Sequence, residues 1–111
     1  MSLARSGQRR SFITIEQSVD EKQHNGSIQK TWQTFTQVWA MIETLKGQDK
    51  VSAVAAYPSA DQKITFRYID GILPTMRVTF KNKIYSIYNV NNINEQNREL
   101  VLTTNCGVKA Q

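Results

Sequence analysis

Cysteine, histidine and proline are nearly missing from this chain of 111 residues, which holds one cysteine, one histidine and two prolines. The single Cys106 excludes an internal disulfide framework. With only His24 beside it, the four-ligand structural zinc site cannot be assembled within one chain, so no metal is expected. Glycine is scarce too, and the five glycines form neither a phosphate-cradling loop nor a G-x-S-x-G nucleophile elbow. Long apolar runs are lacking: the stretch VSAVAAY at 51–57 falls far short of the roughly 18–20 apolar residues of a membrane span. The opening MSLARSGQRRS carries positive charge with no apolar stretch behind it, so no secretory signal is expected and the cytoplasm is the expected compartment.

What is present describes one compact domain. Hydrophobic residues make up 40% and charged residues 21%, near the globular average, and the length suits one core, so a single domain over 1–111 is expected. The net charge of +5 is compatible with an anionic partner without requiring one. Its distribution is uneven: Arg5, Arg9 and Arg10 precede the first acid, Glu16, so residues 1–10 read as a flexible basic arm. That arm is either a solubilising tail or a contact to nucleic acid or a partner.

Period-2 patterning dominates the chain. Residues 75–81 place Met76, Val78 and Phe80 on one face, and 63–68 do the same with Ile64, Phe66 and Tyr68. Residues 31–43, rich in Thr, Val, Ile and aromatics, predict a long bent strand, and 11–17 and 99–103 predict shorter ones. Lys81-Asn82-Lys83 supplies a tight turn, so 75–81 and 84–90 should pair as a hairpin. Residues 48–57 carry Val51, Val54 and Ala55 at helical spacing before Pro58, which predicts a short helix. The polar segment 20–30 (DEKQHNGSIQK) reads as a long exposed loop between the first two strands. Sequential strands, one helix and no βαβ alternation predict a mainly β protein, a small antiparallel β-barrel or sandwich.

No catalytic constellation is legible. His24 sits in the polar loop, and Asp20-Glu21, the adjacent acid pair, lies in the same segment. No enzymatic activity and no cofactor are expected. The aromatics interleave with Lys63, Arg67, Arg77, Lys81 and Lys83, as stacking platforms do in single-stranded nucleic-acid binders, and this is the alternative function. Phe66, Tyr68 and Phe80 share faces with aliphatic residues and are expected in the core, which leaves Tyr88 and Trp32 for stacking.

Six blocks in order carry a resemblance. Trp32, five residues, Val38-Trp39-Ala40-Met41-Ile42-Glu43 and then Leu45-Lys46-Gly47-Gln48-Asp49 resemble W-x5-V-W-A-x-I-E-x-L-S-G-x-E of the phage head–tail adaptor family, also called head-closure or stopper proteins. Residues 64–68, Asp70-Gly71-Ile72-Leu73-Pro74-Thr75-Met76-Arg77-Val78 and Tyr85-Ser86-Ile87 are similar to its later blocks, 11–17 to its opening strand and 98–106 to its closing strand. Lys46 replaces the family's usual Ser, Asp49 its usual Glu, and 81–83 a glycine-containing turn. The resemblance implies a small antiparallel β-barrel with one short helix, acting as a structural virion protein of a tailed phage or prophage. It implies a ring beneath the portal, dodecameric on it, that closes the channel after packaging and receives the tail. The implied partners are further copies of the chain, a portal or adaptor protein, a tail-completion or tail-terminator protein, and the packaged phage DNA passing through. The implied location is the head–tail interface of the virion, with assembly in the host bacterial cytoplasm.

Within that frame Gln48, Asp49 and Lys50 are candidates for inter-ring or lumen contacts, the alternative being a helix packed through Val51 and Val54 with a solvated outer face. Arg67 and Arg77 project from polar strand faces, as solvated groups, inter-subunit ion pairs or DNA-facing charges. Gly47 is expected to turn the chain from strand into helix. Trp39 is expected in the core with Ala40 beside it, whereas Trp32 is open between core and surface.

Overall fold

The computed structural model describes residues 11–108, and the basic arm at 1–10 lies outside them. Strands β1 (Ser11–Lys22) and β2 (Ile28–Thr44) are followed by helix α1 (Gly47–Ala56), then β3 (Gln62–Arg67), β4 (Arg77–Phe80), β5 (Lys83–Asn92), a 3-10 turn (Ile93–Glu95) and β6 (Glu99–Val108). The six strands close a barrel in the order β1-β2-β3-β6-β5-β4, every pairing antiparallel. Alternation along each strand sends one set of side chains inward. Ile13 and Ile15 meet Ile64, Phe66, Val78, Leu100 and Leu102 there, all buried. The loop from β3 to β4 closes one end by adding Ile72 and Met76 to this core. Among the described residues no buried side-chain nitrogen or oxygen lacks a hydrogen-bond partner.

The expected long loop at 20–30 is corrected by the structure. β1 and β2 stay paired through Asp20↔Lys30, Glu21↔Gln29 and Lys22↔Ile28, and only residues 23–27 turn. Gly26 sits at φ +88°, its N–H donates to the Gln23 carbonyl at 3.0 Å, and Asn25 Oδ1 accepts from the Ser27 N–H at 3.0 Å. The segment is polar because both its faces meet solvent, not because it is irregular. β4 pairs with β1 only at Thr14–Glu16, and β3 pairs with β2 only from Ala40 onward, so the rest of the hairpin leaves the barrel as a two-stranded arm. It gives the molecule a long axis of 55 Å against 28 and 27 Å across.

A bulge marks the root of the arm. Ile15 pairs with Thr36 but Glu16 pairs with Thr34, so Phe35 is the extra residue, and its ring packs against the core. Gly71, at φ +92°, lies under that ring: a Cβ there would stand 3.2 Å from Phe35 Cζ. The β4–β5 hairpin is present with its turn one residue shorter than expected, since Phe80 pairs with Lys83 and only Lys81 (φ 49°) and Asn82 (φ 65°), both left-handed, turn.

Candidate interaction surfaces

Arg77, on β4, closes the root of the arm. Its Nε donates to Glu16 Oε1 at 2.7 Å, and its guanidinium lies 4.2 Å from the centroid of the Trp32 ring. Trp32 pairs across the arm with Ser18, whose small side chain leaves the indole room to reach β4. The charge of Arg77 is therefore spent inside the chain, on a carboxylate and an aromatic face. Trp32 remains 38% exposed on its other side.

Trp39 corrects an expectation. It is 56% exposed, because inward positions on β2 fall to Val38, opposite Ile13, and to the buried Ala40, opposite Ser11. The intervening residue must face out. There it packs against Phe12, itself 45% exposed, with ring centroids 5.0 Å apart. Arg67 is exposed at the end of β3, paired with Glu99, and lines an open cleft of about 430 Å³ with Ile93, Gln96 and Arg98.

Helix α1 is an excursion between two paired strands. Gly47 (φ +56°) turns the chain out of β2 as expected, and the Leu45 N–H donates to the Asp61 carbonyl at 3.0 Å, closing the base. None of its residues is buried; of the alternative packing through Val51 and Val54, Val51 is exposed and only Val54 is half-buried. Polar contacts hold it instead. Lys50 Nζ donates to the Ala60 carbonyl at 2.8 Å, and Lys63 Nζ stands 3.5 Å from Asp49 and 3.6 Å from Glu43. At its far end Tyr57 stacks on Tyr88, the planes 2° from parallel at 5.4 Å. Gln48 Nε2 reaches Ser52 Oγ at 3.3 Å and is exposed. Of the three helix candidates, Gln48 and Asp49 face solvent and Lys50 is half-buried.

These contacts bear on the nucleic-acid alternative. Tyr88 and Trp32, the rings available for base stacking by sequence, each have a partner within the chain. His24 is exposed at the tip of the arm. Two tyrosines are perturbed: the Tyr68 hydroxyl donates to Asp70 Oδ1 at 3.2 Å, and this bond to the carboxylate raises its pKa. Burial, with Cys106 and Asp61 nearby, pushes Tyr85 up to about 12. Among the described residues no three His, Cys, Asp or Glu side chains gather where a metal could sit, and no helix is long and apolar enough to cross a membrane.

Sequence reasoning missed Glu16, Lys63 and Phe12 as the partners of Arg77, Asp49 and Trp39. Glu16 was accessible in principle: one acid amid the otherwise neutral run 11–19, on the outward parity, predicts a cross-strand cation. The other two depend on which strands become neighbours.

Comparison with known proteins places these surfaces in context. A family model described as phage head completion protein matches residues 4–105. No curated protein matches the chain. Protein SF1141 from Shigella flexneri 2a, a solution structure, is similar at 22% identity and TM-score 0.74, with 95% of this chain and 96% of that one covered. A chain of the virion of a native gene transfer agent particle is similar at 16% identity and TM-score 0.57, with 87% and 94% covered. At these identities both likenesses show the barrel fold alone.

Proposed function

We infer the role of this chain from its family, for it belongs to the phage head completion proteins, structural components of the virion. Head completion is a matter of assembly with other virion proteins. It calls for contact surfaces rather than a catalytic centre. We propose that the chain forms a ring beneath the portal, closes the DNA channel after packaging and presents the surface on which the tail docks. The observation that carries this reading is the family match over residues 4–105. The distribution of exposed apolar side chains supports it: Ile28 at the tip of the arm, Phe12 and Trp39 on the barrel wall, Val51 on α1 and Leu73 in the β3–β4 loop lie apart on several faces. A subunit that contacts like neighbours on two sides and other proteins above and below needs several separate patches.

Within this reading Gln48 and Asp49 on α1, and Arg67 at the end of β3, face a neighbouring ring or the channel, whereas Arg77 positions the arm. Deleting the gene tests the function. Electron microscopy of the lysate should then show heads that hold or have leaked DNA beside complete, unattached tails. Normal infectious particles from the deletion would refute the head-completion role. Asp49→Lys tests the helix separately: it forfeits the exposed pair with Lys63, about 0–1 kcal/mol, yet heads carrying the folded variant should fail to retain DNA or accept tails, and normal infectivity would remove Asp49 from the contact surface.

A further inference from the structure

Closure of the barrel leaves several strand stretches paired on one side only, among them the β4-side edge of β1 over 17–22, which carries Asp20, Glu21 and Lys22, and two edges of a different character. The β3-side edge of β2 is unpaired over residues 28–39, because β3 joins only from Ala40 to Thr44. The β4-side edge of β5 is unpaired over 87–92, because β4 joins only from Lys83 to Ser86. Among the described residues neither stretch donates or accepts a backbone hydrogen bond to a loop. Long free edges are normally blunted by charge or proline. Here each edge carries one bulge, at Phe35 on β2 and at Tyr88 on β5, but neither charge nor proline along its central run. Residues 31–42 (TWQTFTQVWAMI) and 84–94 (IYSIYNVNNIN) contain no charged residue and no proline, and they are the runs that bear the free edges. Uncharged edges with such β-forming sequences add readily to another strand.

We propose that these two edges join copies of this chain: residues 33–38 on β2 of one copy pair, antiparallel, with residues 87–92 on β5 of the next. The inference rests on the ring reading above and deepens it by naming the joint. Charge sets its direction. Lys30 stands just before the uncharged run of β2, Lys83 just before that of β5, and Glu95 just after it. Antiparallel alignment points the Lys30 end of one copy's β2 at the 3-10 turn of the next, which carries Glu95, whereas parallel alignment would point it at the Lys83 end of β5. In the antiparallel register Thr34 falls opposite Asn91, both exposed, and Trp32, 38% exposed, lies toward the 3-10 turn that begins at Ile93. The two edges lie on different strands, so the joint is heterologous. Each copy gives its β2 edge to one neighbour and its β5 edge to the other, and the contact propagates instead of stopping at a dimer.

Assembled particles carrying Cys106→Ser provide the test. With Thr34→Cys and Asn91→Cys in the same chain, a short bis-maleimide should yield a ladder of dimers, trimers and larger species, and each cysteine alone should yield only monomer. Dimers from Thr34→Cys alone would mean that β2 pairs with itself, and the head-to-tail joint would be overturned. If the double-cysteine chain gives no ladder while a lysine-directed cross-linker gives one, the joint falls and the ring reading stands. If neither reagent gives a ladder, both fall. A charge swap checks the direction independently. Lys30→Glu, which also meets Asp20 across the arm, and Glu95→Lys should each weaken the ladder in chains that still fold, and their combination should restore it; no loss from the single changes, or no restoration, overturns the antiparallel direction.

Discussion

Replacing Arg77 by methionine removes a side chain of β4 that touches both strands of the arm, through Glu16 and Trp32. Its Nε donates to Glu16 at 2.7 Å, and the two side chains are only 19% and 20% exposed. An exposed ion pair contributes about 0–1 kcal/mol. A charged hydrogen bond shielded to this degree, whose loss strands a carboxylate, is worth about 1.5–3 kcal/mol. The contact with the Trp32 face adds about 0.5–1 kcal/mol. Arg77→Met is therefore expected to cost about 2–4 kcal/mol, or roughly 9–17 °C in melting temperature for a domain of this size. A double-mutant cycle with Glu16→Gln isolates the pair, and its coupling should be about 1–2 kcal/mol. Amide exchange should quicken along 17–22 and 28–34 while the barrel strands stay protected. A coupling below about 0.3 kcal/mol, within the additivity of independent sites, would refute the reasoning that this pair holds the arm.

Three further outcomes follow from the barrel. Phe66→Ala empties the centre of the core at a fully buried site and should cost about 3–5 kcal/mol in denaturant unfolding; a loss under about 2 kcal/mol would mean that the ring is not enclosed. Gly71→Ala forces a Cβ at φ +92° to 3.2 Å from Phe35 Cζ, whereas Gly26→Ala at φ +88° meets nothing, so Gly71→Ala should lower the melting temperature more; equal losses would refute the Phe35 contact. Tyr85, held neutral up to about pH 12 in the folded chain against 10 unfolded, contributes stability that is present below pH 10 and lost as pH rises toward 12. Tyr85→Phe should flatten that decline and remove one late-titrating phenol from the absorbance titration, leaving the raised Tyr68; a wild-type decline unchanged by the substitution would refute it.

The patterning of the chain determined the class of the fold and most of its core. Ile13, Ile15, Ile64, Phe66, Val78, Leu100 and Leu102 are all readable as inward residues, because a strand buried on one face must alternate, and all of them face inward. The short helix, its stop before Pro58 and the turn at Gly47 were legible for the same local reasons. Trp39 shows the limit. Its size argues for burial, but parity along β2 is fixed by which neighbours Val38 and Ala40 meet, and it stands outside. Segment 20–30 shows another: polarity on both faces looks like a loop in one dimension, and only the cross-strand register reveals two strands of a projecting arm. Closure of the barrel, the bulge at Phe35, the Glu16–Arg77–Trp32 contact and the two free edges all depend on residues distant in sequence. Local propensity carries no information about such pairs, because their energy exists only once the strands are side by side.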